Sequence, residues 1–238
     1  MPVDFSFRTS GNLHTILKEV FFFGEYVPLT RTEAPFIIDC GGNIGVTTLF
    51  LKYQFPKASV LVFEPSAENF KVLQQNIERN KLADVKAVRA AVCDTEGEVT
   101  FWDDPKSPGS ATSTETVANS KGTDRFTQET VPAVRLSRFI DRPVDVLKMD
   151  IEGGEGVVLD ELDRSGKLAQ VSEIIFEYHM NPANKINALP RVIEILERNG
   201  FRVLPFGIDL SRGVARLFPR AFCHFMIHAA RRPALQQG

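Results

Sequence analysis

Two segments of this chain repeat one pattern, and that pattern limits the fold more than any other feature. "FIIDCGGNIGVTT", residues 36 to 48, and "VDVLKMDIEGGEG", residues 144 to 156, each run an apolar strand into an acid and then into a turn rich in glycine. A short continuous apolar run reads as a strand buried on both faces, as in a parallel sheet covered by helices. Glycines beyond it permit positive φ and let a ligand or a neighbouring helix approach the main chain closely. With 238 residues, 43% of them hydrophobic and 24% charged, the chain has enough apolar material for one well-packed α/β domain.

The elements between these segments alternate. The first turn leads into a helix expected at 43 to 54, and "SVLVFEP" is a second strand ending in Glu64. Ser66 then stands at an N-cap position, Glu68 suits the positive end of the helix, and Phe70, Leu73 and Ile77 share a face before Asn80 closes it. "VKAVRAAV" reads as a third strand and "GEVTFW" as an added antiparallel one. "SEIIFEYH" brings Glu177, Tyr178 and His179 to a carboxyl end; a helix at 188 to 198 stops at Asn199-Gly200, and "FRVLPF" follows as another strand. The expectation is a mostly parallel sheet with helices on both faces and its ligand at the carboxyl ends of the strands. Residues 1 to 30 are expected to cap this single domain. The Ser/Thr-rich stretch 103 to 130 is expected to be a lid loop. Residues 207 to 238, with five arginines from 210 onward, are read as a basic C-terminal extension.

A formal net charge of -2 offers no general attraction to nucleic acid. Three cysteines, odd in number and far apart, match neither a zinc site nor a disulfide framework, so a cytoplasmic setting is expected. "VFFFGEYV" is too short to cross a bilayer, and no transmembrane segment is expected. Oligomeric state is open, a homo-oligomer included.

The first glycine turn reads D-x-G-x-N-x-G, without the G-x-G-x-x-G register by which dinucleotide enzymes admit a pyrophosphate. Asp39 would repel a diphosphate but draw in an ammonium group, while the start of the following helix welcomes a carboxylate. Glu64, 19 residues after Gly45, occupies the usual place of an acid that accepts hydrogen bonds from two ribose hydroxyls. An aminoacyl end plus a ribose describes S-adenosylmethionine. Two alternatives stay open: a nicotinamide-dependent oxidoreductase, which shares the ribose acid, and a non-catalytic cofactor-binding module.

"FIIDCGGNIGVTT", "VFEPSAENFKVLQQNI", "VDVLKMDIEGGE" and "IIFEYH" together resemble the FkbM family of S-adenosylmethionine-dependent methyltransferases. The resemblance runs from about residue 25 to 206, and its most specific part is K-x-D-x-E-G-x-E, Lys148 to Glu155. It implies a Rossmann-like class I methyltransferase with a seven-stranded sheet, and O-methylation of a hydroxyl on a sugar, glycolipid or polyketide-type natural product. It also implies that Asp39, Gly41, Gly42, Asn43 and Gly45 surround the methionine part of the cofactor. Glu64 with Pro65 would hold the ribose, Ala91 and Val92 would border the adenine, and "GEYVP", residues 24 to 28, would pack over the site.

Transfer of a methyl group from sulfur to oxygen depends on alignment and on a group that takes the hydroxyl proton. Asp150 is the first candidate, facing the sulfonium or the incoming hydroxyl; capping of the following helix is its structural alternative. Glu152 shares the task or merely opens that helix. His179, with an unperturbed pKa near 6.5, suits a general base, and Glu177 would hold a substrate hydroxyl. Asp150, Glu152 and Glu177 could offer oxygen ligands to magnesium, but no metal is expected because their spacing does not demand one.

Overall fold

The computed structural model describes residues 17–103, 127–179, 187–206 and 224–231. In chain order its strands are β1 (Phe36–Cys40), β2 (Ser59–Phe63), β3 (Val85–Val88), β4 (Ala91–Cys93), β5 (Gly97–Asp103) and β6 (Thr127–Arg135). They continue with β7 (Val144–Met149), β8 (Val171–His179), β9 (Phe201–Phe206) and β10 (His224–Arg231). The helices are α1 (Val46–Gln54), α2 (Ala67–Arg79), α3 (Glu155–Arg164) and α4 (Leu189–Arg198).

Seven strands form one sheet in the order β3-β2-β1-β7-β8-β10-β9. The neighbours from β3 to β8 pair in parallel, and β10 runs antiparallel to both β8 and β9. The expected mostly parallel, Rossmann-like sheet is thus present. Successive residues of a strand face opposite sides, and the core divides accordingly. Ile38, Leu61, Leu147 and Ile174 pack with Val158, Leu162, Val192 and Ile195 of α3 and α4. Ile37, Val60, Val146 and Ile175 pack instead with Val46, Phe50 and Leu51 of α1 and with Val20 and Tyr26 of the N-terminal segment. Apolar residues on both faces explain why β1 and β7 read as mostly hydrophobic, with consecutive apolar pairs at Ile37-Ile38 and Val146-Leu147.

Strand order reverses between β1, which leads to β2 on one side, and β7, which leads to β8 on the other. Both carboxyl ends open into glycine turns there, and such a reversal leaves a crevice for ligand. α1 begins at Val46 after Gly45, three residues later than expected. Ser66 does cap α2, accepting from the Asn69 amide at 3.4 Å, and the turn after α4 uses Gly200 at φ +82°.

Four expectations need correction. "VKAVRAAV" is not one strand: β3 stays in the large sheet, whereas Ala91 turns away to pair with Ala133 in a separate sheet of order β4-β6-β5. "GEVTFW" is the expected antiparallel strand, β5, but it pairs with β6 in that small sheet and not with the large one. Residues 127 to 130, assigned to the lid loop, form the start of β6, and Pro132 within this strand is what masked it in the sequence; 104 to 126 lie outside the described residues. Residues 224 to 231 of the expected basic extension are β10, inserted between β8 and β9. Arg231 there donates to the carbonyl oxygens of Val171 (2.8 Å) and Leu168 (2.9 Å), a structural use of one of the charges of that extension.

Candidate functional site

At the carboxyl ends of β1, β2 and β7 lies a cleft whose walls include Gly41, Asn43, Glu64, Pro65, Ala91, Val92, Asp150 and Glu152. Eight of the residues singled out from the sequence are thus neighbours in space. Glu64 is held rigidly: the Asn43 amide donates to its Oε2 at 2.8 Å and the Ser66 amide to its Oε1 at 2.9 Å. Asn43 has φ +48°, a left-handed conformation that asparagine tolerates, and this aims its N–H at the acid. Ala91, Val92 and Phe101 give the same cleft an apolar wall. A fixed carboxylate beside an apolar slot suits a ribose diol next to a flat base.

Asp39, Gly42 and Gly45 do not line this cleft. Asp39 is fully buried; its Oδ1 lies 3.0 Å from Lys148 Nζ, and its Oδ2 accepts from the Thr48 hydroxyl at 2.8 Å. The expected direct capture of a ligand ammonium by Asp39 is therefore corrected: its charge is matched inside the protein. The neighbouring Asp39 charge, backed by Asp150, overrides the effect of burial and raises the pKa of Lys148. Lys148 also donates to the Gly41 carbonyl at 2.7 Å, tying the two strand-end turns together.

The glycines answer to protein neighbours. A Cβ on Gly41 would stand 1.8 Å from the Asp150 carbonyl oxygen, one on Gly42 would stand 2.2 Å from Val62 Cγ2, and one on Gly45 would stand 2.8 Å from Leu73 Cδ1. Gly42 and Gly45 let β2 and α2 close over the turn. Of the three, only Gly41 borders both the cleft and the end of β7.

A second group of residues gathers beside Asp150. Ligand-competent atoms of Asp150, Glu177 and His179 lie within 4.8 Å of one another. Asp150 does not cap α3, whose N-cap is Gly154; its Oδ2 instead accepts from the Tyr26 hydroxyl at 3.3 Å. The 24 to 28 segment thus does reach the site, through Tyr26, and burial first and Asp150 second raise that phenol's pKa. Glu152 precedes α3 at φ +52°, a strained conformation for a residue with a side chain. Its Oε2 lies 3.7 Å from His179 Nε2, and Glu177 Oε1 lies 3.9 Å from the same nitrogen.

His179 is not the unperturbed base expected. Its Nδ1 meets Glu155 Oε1 at 3.1 Å, and although burial opposes the charge, Glu155 first, then Glu152 and Glu177, raise its pKa well above 6.5. A histidine in this setting holds its proton at neutral pH. Glu177 moves the other way from an ordinary carboxylate: burial above all, then Asp150, pushes it up to about 8. Around neutrality, Glu177 can hold a proton and Asp150 is the group at the cleft wall.

Sequence reasoning gave no role to Glu155, Asn69 or Phe101, and reached Tyr26 only as part of the 24 to 28 segment. Glu155 is fully buried, and its Oε1 accepts from the Ile151 amide (3.2 Å) and the Gly153 amide (3.1 Å) as well as meeting His179. Its signal was its place as the last acid of K-x-D-x-E-G-x-E. Asn69 is buried on α2 beside Leu73 and Asn76, and a buried asparagine marks a polar task. Phe101 gave no signal, because only the small sheet brings it to the cleft.

The segment from Asp39 to Val203 matches the Methyltransferase FkbM domain family. The chain belongs to this family. It is 32% identical over 165 residues to Methyltransferase 1 of Beauveria bassiana, covering 62% of this chain and 66% of that protein. It is 26% identical over 195 residues to the 31-O-demethyl-FK506 methyltransferase FkbM of Streptomyces tacrolimicus, covering 71% of this chain and 73% of that one. A crystal structure of Methyltransferase FkbM from Methylobacillus flagellatus superposes with TM-score 0.58 at 15% identity; it covers 90% of this chain, which spans about half (47%) of that structure's length. Family membership sets the chain among methyltransferases and not with nicotinamide-dependent oxidoreductases. Among the described residues, no helix is long and apolar enough to cross a membrane.

Proposed function

We propose that this protein is an S-adenosylmethionine-dependent O-methyltransferase acting on a hydroxyl of a small molecule of the sugar, glycolipid or polyketide type. The observation that carries the reading is Glu64, pinned by two main-chain amides at a cleft wall and faced by the apolar slot of Ala91, Val92 and Phe101. The residues present fit a nucleoside: Glu64 would accept from both ribose hydroxyls, Pro65 and Asn69 would border the sugar, and Ala91 and Val92 would flank the base. Gly41, Asn43 and Asp150 line the same cleft and would take its aminoacyl end. The likeness to a relative whose name gives its substrate as 31-O-demethyl-FK506 supports oxygen as the acceptor atom.

The bound donor supplies an electrophilic methyl group, whose bond to sulfur breaks as its bond to the acceptor oxygen forms. The protein's part is alignment and proton removal. Asp150 lies at the carboxyl end of β7, between the nucleoside cleft and the Glu177–His179 group. It would receive the hydroxyl proton, with the Tyr26 hydroxyl donating to its Oδ2. Glu152 and Glu177 would orient the acceptor, and the protonated His179 would balance their charge. Titration of the purified protein with S-adenosylhomocysteine and NAD tests the cofactor. Micromolar binding of the first alone supports the reading, and preferential binding of NAD overturns it. Labelled methyl transfer from S-adenosylmethionine into an extract, followed by mass spectrometry, then identifies the acceptor.

A further inference from the structure

We propose that Asp150, Glu177 and His179 form the protein side of a site for one divalent cation of the Mg²⁺ and Mn²⁺ class, oriented by Glu155. The three groups come from the ends of adjacent parallel strands, β7 and β8, and their ligand atoms lie within 4.8 Å of one another. Donors around one ion with bonds of about 2.1 Å stand roughly 3 to 4 Å apart, so small side-chain rotations close the set. Two carboxylates and one imidazole suit Mg²⁺ or Mn²⁺ and leave positions open for water or a ligand oxygen.

Two observations distinguish this group from a chance gathering of acids. The first is outside the donor set: fully buried Glu155 holds His179 Nδ1 at 3.1 Å, and its oxygen is itself fixed by the Ile151 and Gly153 amides. A ligating imidazole is held in this way by a carboxylate on its far nitrogen, which here turns Nε2 toward Glu177 and Glu152. The second is charge: Asp150, Glu152, Glu155 and Glu177 surround a single imidazole, while Lys148 on the same strand is matched by Asp39. Glu155 Oε2 is buried with no hydrogen-bond donor. Glu155 is fully buried and the other three acids are half-buried, and like charges this close would be relieved by a cation. The ion would take the place of the imidazole proton, so its affinity should rise with pH.

The ion's role toward an acceptor rests on the methyl-transfer reading, although the site itself does not. Held there, the ion would polarise a hydroxyl bound beside Asp150 and make it more acidic.

The test is Mn²⁺ binding to chelator-treated full-length protein, followed by electron paramagnetic resonance of the free ion. One saturable site per chain is expected, weakened at least tenfold in Glu177→Gln and in His179→Asn, and by a smaller factor in Glu155→Gln. Mg²⁺ should compete. Absence of saturable binding up to millimolar Mn²⁺, or binding unchanged in both ligand variants, overturns the proposal. Circular dichroism confirms that each variant is folded. S-adenosylhomocysteine titration of the same samples keeps the two readings apart: its failure with Mn²⁺ bound refutes only the methyl-donor assignment, and its success without a Mn²⁺ site refutes only the cation.

Discussion

Lys148 Nζ lies 3.0 Å from Asp39 Oδ1, and the two side chains, 2% and 0% exposed, pair between the central strands β7 and β1. An acid at the end of the first strand, next to a glycine turn, is here part of the interior. Replacing one member leaves the other charged and buried, which costs about 3 to 5 kcal/mol. Asp39→Asn is therefore expected to lower stability in urea denaturation by that amount. The double replacement Asp39→Leu, Lys148→Met should lose less than the two single losses added, because no unpaired charge remains. If Asp39→Asn kept full stability and lost only affinity for S-adenosylhomocysteine, Asp39 would be a ligand and the pair incidental.

Gly41 sets how closely β1 and β7 can approach at the site. Gly41→Ala combines a left-handed φ of +82° with a methyl 1.8 Å from the Asp150 carbonyl oxygen, a main-chain atom that cannot swing aside. Gly166, at φ +72° and with nothing within 4 Å of where an added methyl would stand, provides the control. Gly166→Ala should cost about 1 to 2 kcal/mol for its backbone alone. Gly41→Ala should cost about 2 kcal/mol more, in the range of an overpacked core position, and weaken cofactor binding as well. Equal melting temperatures for the two variants would show that the strand ends separate freely.

The parts of the fold legible in the sequence are those where local pattern and global position agree. β1, β2, β7 and β8 are apolar runs because both their faces are covered, and Ser66 and Gly200 mark helix ends through their own chemistry. Hidden were the elements whose partners lie far along the chain. β6 contains Pro132 and exposed polar residues, and β10 is recognisable only once β8 and β9 are in place to receive it. The site follows the same division. Asp150, Glu64 and Asn43 stand at strand ends, where position alone suggests use. The burial of Asp39 depends on Lys148, 109 residues later, and the raised pKa of His179 depends on Glu155, 24 residues earlier. A single histidine in a sequence carries no trace of the acids that fold around it.

Glu64→Gln tests the proposed cofactor wall with the smallest change of side-chain size. In Glu64→Gln one side-chain oxygen can still accept an amide, but the new NH₂ group faces the N–H of Asn43 or Ser66, and the charged acceptor for ribose is lost. A charged hydrogen bond of this kind contributes about 1.5 to 3 kcal/mol, so calorimetry should show S-adenosylhomocysteine affinity falling by roughly 10-fold to 150-fold. An unchanged dissociation constant would remove Glu64 from the ribose site.

The carboxyl of Glu177 links the site to pH. Its folded pKa of about 8 lies above the ordinary value of 4.5, so between these limits the folded chain keeps a proton that the unfolded chain has lost. Stability must then fall as pH rises from about 4.5 to 8, the reverse of a carboxylate stabilised by a cation. His179 acts in the same direction: with its folded pKa raised, its stabilising charge is fully present below about 6.5 and is lost as pH climbs through the folded value. Glu177→Gln resembles the protonated acid, so in the presence of a chelator it should match the native protein near pH 5. Near pH 8.5 it should exceed the native protein by about 1 to 3 kcal/mol, reduced by whatever support His179 loses. Urea denaturation at the two pH values measures this. Parallel losses in both proteins from pH 5 to 8.5 would mean that Glu177 titrates as an ordinary surface acid.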